Sequence, residues 1–191
     1  MTPPSNLNDT VWFATGCSSG LGKSFAQTIY KAGHRIVATA RNVTSLSYLP
    51  DEPNVLKLEL DVRSQGAITS AFAAALRKFS KIHVVINNAG YGLMGDMESI
   101  SEFEGRDQLE TNFWGPVNIT QKALQIFRGK FALEGFTKAV VKEVRPEWNI
   151  HFLIASPGGM RTNFAQSSLQ SPPRHAAYDS PNVYPISINL E

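Results

Sequence analysis

Thr15-Gly16-Cys17-Ser18-Ser19-Gly20-Leu21-Gly22 is the stretch on which the fold turns. It separates a short apolar run, Val11 to Ala14, from a segment in which Leu21, Phe25 and Ile29 recur at fourfold spacing and Ala32 closes the stripe. The local expectation is a buried parallel strand, a tight turn, and an amphipathic helix stopped at Gly33. Such a turn gathers backbone N–H groups and the positive end of a helix at one point, where a dinucleotide's pyrophosphate would sit. Gly16 permits the turn, Gly20 lets the backbone approach phosphate oxygens, and Gly22 lets helix pack on strand. Ser18 and Ser19 can donate hydrogen bonds, and Leu21 completes the candidate contacts of the loop. A plain glycine-rich strand-to-helix turn would carry the same glycines, so the loop alone leaves both readings open.

Outward from this turn the strand-then-helix alternation continues. Ile36 to Ala40, Val55 to Leu60, Ile82 to Ile86 and Ile150 to Ala155 read as further strands. Ala67 to Phe79 is an Ala-rich helix with Ile68, Phe72 and Leu76 on one face. Asp107 to Arg128 carries a long helical pattern through Leu109, Phe113, Val117 and Leu124, with Pro116 as a candidate kink. Phe131 to Val144 is another helix, with Leu133, Phe136, Val140 and Val144 on one side and Arg145 and Pro146 at its end. The pattern predicts an α/β fold, a doubly wound parallel sheet with helices on both faces. From Ser167 to Glu191 the serines, prolines and lack of period predict a loop or disordered tail, docked through Tyr178 and Tyr184.

A chain of 191 residues with 42% hydrophobic content can close one sizeable core, so a single domain over residues 1–191 is expected. Lys+Arg 18 against Asp+Glu 16 leaves a net charge of +2, too small and too evenly spread for a nucleic-acid surface. The single cysteine, Cys17, cannot form an internal disulfide, which fits a reducing compartment. No apolar run approaches the ~18 residues of a membrane span, and no signal-type segment opens the chain. A cytoplasmic protein without nucleic-acid or membrane partners is the expectation. His34, His83, His151 and His175 lack metal-ligand spacing, so no metal site is expected. Cys17 near a helix N-terminus reads as a packed, inert thiol.

The loop's G-x3-G-x-G spacing resembles that of the short-chain dehydrogenase/reductase family, and the resemblance extends over most of the chain. Asp61-Val62 follows the third strand, where the family places an aspartate against the adenine amino group. Asn87-Asn88-Ala89-Gly90 ends the fourth strand and matches the family's N-N-A-G. Asn112, within Thr111-Asn112-Phe113-Trp114-Gly115, corresponds to the family's active-site asparagine. Pro157-Gly158-Gly159-Met160-Arg161-Thr162 resembles the P-G-x-x-x-T segment at the nicotinamide end. The implied cofactor contacts are Gly16, Ser18, Ser19, Gly20, Leu21, Gly22, Arg41, Asp61, Val62, Asn88, Ala89, Gly90, Lys130, Pro157, Gly158 and Thr162, with Asn112 and Lys130 as catalytic residues.

Cofactor choice is read at Ala38-Thr39-Ala40-Arg41. Sites for NAD place an acid here to hold the ribose hydroxyls, and that carboxylate would repel a 2′-phosphate. Ala40 stands in its place, and Arg41 can pair with a phosphate through two parallel hydrogen bonds, so NADP is the expected cofactor.

The resemblance implies hydride transfer between NADP(H) and a small carbonyl or alcohol substrate, with a serine and a Y-x-x-x-K tyrosine doing the acid/base work. Lys130-Phe131-Ala132-Leu133-Glu134-Gly135-Phe136 is similar to the family sequence that begins with that lysine, yet four residues before it stands Ile126. The fifth strand, its serine and the tyrosine turn are missing as one block, and the family's last strand and helix are missing too. The sheet is therefore expected to be incomplete, and the chain impaired or inactive. A non-catalytic NADP-binding protein and a splice or gene-model product are the alternatives. Only Gly129 and Lys130 remain to return the chain to its starting edge, and two residues span at most about 7 Å. That should disturb the helix pair through which the family dimerises.

Overall fold

The computed structural model describes residues 10–127 and 169–170. Four strands form one parallel sheet: β1 (Val11–Ala14), β2 (Arg35–Ala40), β3 (Val55–Glu59) and β4 (Val84–Ile86), in the order β3-β2-β1-β4. β1 pairs with β2 and with β4 so that Phe13 lies opposite Val37 on one side and Val85 on the other. Because all pairings are parallel, all four strands end at one edge of the sheet. The loops that follow Ala14, Ala40, Glu59 and Ile86 therefore meet in one place, the location at which open α/β sheets bind ligands.

The strands alternate sharply between two cores. Val11, Phe13 and Val37 face helix α2 (Gln65–Phe79) and helix α4 (Gly115–Phe127), packing with Ile68, Phe72, Ala75, Ile119 and Ala123. Phe13 and Phe72 stack with ring centroids 4.3 Å apart; truncating either to Ala should cost about 3–5 kcal/mol. Ala14, Ile36, Ala38 and Ala40 face the opposite way, onto Ala26 and Ile29 of α1 (Gly20–Lys31) and onto Leu46 and Leu49. The expected doubly wound arrangement is what the described residues form.

Strand and helix boundaries agree with the sequence expectation to within two residues for these elements, while two helical faces differ. On α1 the buried residues are Gly22, Ala26 and Ile29, and Phe25 is 38% exposed. The glycine lets the helix close on the turn, so the packing face rotates away from Leu21 and Phe25. The helix expected over Asp107 to Arg128 is two helices. α3 (Glu102–Leu109) starts five residues earlier on a reciprocal cap between Ser101 and Glu104, and a π-helical turn, Glu110–Trp114, joins it to α4. The interruption lies just before Pro116, the second residue of α4; the helix is continuous on both sides, so the proline removes one hydrogen bond from its ladder, and the wider π turn lies where that bond is lost. Leu109 and Phe113, expected on the core face, are 60% and 54% exposed, and Gly115, Ile119 and Ala123 are buried instead. The extra residue of the π turn rotates the helix, so a constant 3.6 period read across it selects the wrong face.

Two short strands, β5 (Gly92–Leu93) and β6 (Leu169–Gln170), pair in parallel, so two residues of the stretch expected to lack regular structure are paired. The strand expected at Ile150 to Ala155, the helix at Phe131 to Val144 and the rest of the tail lie outside the described residues. Among the described residues no helix is long and apolar enough to cross a membrane.

Candidate functional site

The strand ends and the loops beyond them line a cleft of about 460 Å³. Gly16, Ser18, Ser19, Gly20 and Leu21 form one wall, Arg41, Asp61 and Val62 the second, and Asn88, Ala89, Gly90 and Asn112 the third. Nine of these residues come from the four loops that follow the strands, with Gly20 and Leu21 at the start of α1 and Asn112 in the π turn, so only the parallel register brings them together. Gly22 does not line the cleft. It lies beneath, where a Cβ would stand 2.1 Å from the Gly16 carbonyl oxygen. Lys130, Pro157, Gly158 and Thr162 lie outside the described residues.

The glycine turn is held from behind. Gly16 has φ +68°, and a Cβ there would also meet the Ala89 backbone at 2.7 Å. Gly20 has φ +53° with nothing within 4 Å of a Cβ position, so its backbone faces open space. Ser19 precedes α1 without capping it through its side chain. The first N–H groups of α1 are thus left for an anion in the cleft. Thr15, 1% exposed, accepts from the backbone N–H groups of Asn88 and Ala89, each at 3.0 Å, and the Asn88 amide donates back to the carbonyls of Thr15 and Gly16, each at 3.0 Å. The second-strand end is tied in through Cys17, whose N–H donates to the Thr39 carbonyl at 2.8 Å. Cys17 is fully buried, its thiol donates to the Ala14 carbonyl at 3.4 Å, and burial pushes its pKa up to about 11.

At the other end, Asn112 lies in the π turn and pairs with the backbone of Tyr91. Its amide donates to the Tyr91 carbonyl at 2.7 Å and its oxygen accepts from the Tyr91 N–H at 3.1 Å. Gly90 lies beneath it, where a Cβ would approach the Asn112 oxygen at 3.1 Å, so a side chain there would press on the amide. The irregular helix thus delivers a side-chain amide to both backbone groups of Tyr91 and fixes the loop after β4.

The polar wall between these ends contains residues that motif reading did not assign. Arg63 lies against both carboxylate oxygens of Asp61, with Nε at 3.0 and 3.1 Å and Nη2 at 2.6 Å, and its Nη1 bonds Asp107. The fork holds the Asp61 carboxyl below its ordinary pKa, with Arg41 adding to the effect against partial burial. The Tyr91 hydroxyl donates to the other oxygen of Asp107 at 3.0 Å, and burial followed by that bond raises its pKa. The signal for Arg63 is its position two residues after Asp61, where an aspartate turn, with the Arg63 N–H donating to the Asp61 carboxylate at 2.9 Å and the Ser64 N–H to the Asp61 carbonyl at 3.0 Å, brings both side chains together. Asp107 carries no such local signal, since only the fold brings it to Arg63. No group of His, Cys, Asp and Glu that could hold a metal occurs among the described residues.

The fold, the glycine turn and the Asn88-Ala89-Gly90 and Asn112 loops at one sheet edge define a nucleotide-binding α/β protein. Residues 10–129 match the short chain dehydrogenase family, and the chain belongs to that family of oxidoreductases, whose members bind nicotinamide cofactors. It is 40% identical to the oxidoreductase calM of Penicillium decumbens, over 93% of this chain and 70% of that protein. That alignment runs over 213 positions, whereas 93% of 191 residues is about 178, so about 35 positions have no counterpart here. Among solved structures, a short-chain dehydrogenase from Streptomyces avermitilis superposes with a TM-score of 0.74 at 28% identity, covering 88% of this chain and 73% of that one. A 3-ketoacyl-(acyl-carrier-protein) reductase from Brucella melitensis, solved in complex with NADH, superposes with a TM-score of 0.59 at 26% identity, covering 63% and 51%.

Proposed function

We propose that the cleft binds NADP(H), that its parent activity is hydride transfer to or from a small carbonyl or alcohol substrate, and that this chain is itself catalytically impaired. The cofactor reading rests on Arg41. It lines the cleft beside Ala40, and no hydrogen bond or ion pair among the described residues occupies its guanidinium. The other arginine of the cleft, Arg63, is committed to Asp61 and Asp107. A 2′-phosphate therefore meets, among the described residues, a cleft arginine with no hydrogen bond or ion pair of its own, and no carboxylate at position 40 to repel it. The uncapped start of α1 suits the pyrophosphate, and the Gly16 and Gly20 positions keep that surface free of side chains. When bound, the nicotinamide supplies or accepts the hydride; the chain's own part is to hold the two ends of the cofactor and to exclude water between them.

Impairment is inferred at the proton-transfer step. Ile126, four residues before Lys130, is packed against the core cluster of Phe13 and Phe72. Among the described residues Tyr91 is the one phenol lining the cleft, and its hydroxyl is given to Asp107. The roughly 35 unmatched positions of the Penicillium relative, and a family match that ends at Gly129, support a missing internal block just before Lys130. That size favours loss as a unit, by altered splicing or an altered gene model, over separate replacement of a serine and a tyrosine. NADPH and NADH titrations of the full chain test the cofactor reading. NADPH should bind about ten- to a hundredfold more tightly, and Arg41→Asp should abolish or reverse the difference. Equal affinities would remove the role of Arg41.

A further inference from the structure

Arg63 lines the cleft and Asp107 lies behind it, joined both to Arg63 and to the cleft residue Tyr91, and the pair belongs to none of the motifs that carry the family resemblance. Resting on the dinucleotide reading, we propose that Asp107 is a positioning residue for the nicotinamide half of the cofactor, linking Asp61 through Arg63 to Tyr91. The argument begins with α3. None of its residues is buried, so apolar packing does little to fix where it lies. Its position is set by polar contacts at its C-terminal half. Asp107 bonds Arg63 and accepts from the Tyr91 hydroxyl, and the Gln108 amide donates to the Tyr91 carbonyl at 3.4 Å. Asn112 follows directly in the π turn and holds the same Tyr91 backbone. Asp107 is thus the point at which α3, the loop after β3 and the loop after β4 are joined, and its side chain is only 27% exposed.

The two ends of this chain of bonds are anchored differently. Asp61 and Arg63 sit between β3 and α2, and their own fork survives without Asp107. Tyr91 and Asn112 depend on where α3 and the π turn lie. Removing the Asp107 charge should therefore loosen the end of the cleft toward Asn112 and leave the end toward Asp61 and Arg41 in place. A residue that only stabilised the fold would weaken both ends together.

The test uses two probes on the full chain, adenosine 2′,5′-bisphosphate for the adenine end alone and NADPH for both ends. Asp107→Asn preserves shape and removes the charge, and should weaken NADPH about tenfold while leaving the bisphosphate little changed. Tyr91→Phe removes one bond from the same chain and should weaken NADPH alone by about three- to tenfold. Arg63→Gln, which also strips the fork from Asp61, should weaken both probes. NADPH emission should report the split independently, with its change on binding reduced in Asp107→Asn and Tyr91→Phe. Equal weakening of both probes by Asp107→Asn, or no weakening of either, overturns the positioning role and leaves the dinucleotide reading standing. Failure of the unmodified chain to bind either probe overturns both.

Discussion

Thr15 and Asn88 hold each other through both side chains. The threonine hydroxyl oxygen accepts two backbone N–H groups after β4, and the asparagine amide donates to two carbonyls after β1, all at 3.0 Å. This clasp joins the glycine turn to the N-N-A-G turn, two loops more than 70 residues apart. Thr15→Val keeps the shape but leaves two backbone donors without their acceptor. The expected loss is about 2–4 kcal/mol of unfolding free energy in urea titration. Thr15→Ser, which keeps the oxygen, should lose only about 1 kcal/mol. Equal losses would show that the methyl, not the hydroxyl, matters.

The glycines of the turn separate fold from ligand. At Gly22 an added methyl would overlap the Gly16 carbonyl at 2.1 Å, so Gly22→Ala should lower both thermal stability and nucleotide affinity. At Gly20 a methyl meets nothing in the protein. Gly20→Ala then costs only the left-handed backbone penalty of about 1–2 kcal/mol, yet it projects toward the bound phosphate and should weaken NADPH more than tenfold. Unchanged NADPH affinity in Gly20→Ala would remove the pyrophosphate from this turn.

Most of this architecture was legible because its signals are local. An apolar strand, glycines at set spacing and N-N-A-G after a strand each need only a short window, and the parallel sheet then assembles them without further information. The readings that failed crossed an irregularity. Leu109 and Phe113 look like a core stripe only if the helix keeps one period through Glu110–Trp114, and the π turn there, which carries the Asn112 amide to Tyr91, breaks that period. The start of α3 was readable, since Ser101 and Glu104 have capping-box spacing. Asp107 was not, because its partners Arg63 and Tyr91 are 44 and 16 residues away.

Cys17 should behave as a structural thiol. It is fully buried, and its folded pKa of about 11 lies above the ordinary value near 8.5. A raised pKa means the folded state holds the proton more tightly. The corresponding stability is fully present below about pH 8.5 and is lost as pH rises through 11. Iodoacetamide at pH 8 should therefore label Cys17 only after urea unfolding, and Cys17→Ala should flatten the alkaline decline. Rapid labelling of the folded chain at pH 8 would contradict both the burial and the pKa.

Hydride transfer by this chain should be negligible, and the reason lies in where protons are available. Reduction of a carbonyl needs a donor within hydrogen-bond reach of the developing alkoxide, and such a group typically contributes ~10²–10⁴-fold. Ile126 has no proton to give, and Tyr91 directs its hydroxyl to Asp107, where the carboxylate and burial raise its pKa. Among the described residues no cation bonds that hydroxyl to lower its pKa; the nearby Arg63 and Arg41 only oppose the rise. NADPH oxidation should be followed over a panel of aldehydes, ketones and quinones, for the chain as it stands and for a variant with a relative's missing segment inserted before Lys130. Activity confined to the repaired variant is the expected result. Turnover by the unmodified chain that disappears in Tyr91→Phe would instead make Tyr91 the acid. Turnover that persists in Tyr91→Phe would place the proton donor at a residue other than Tyr91.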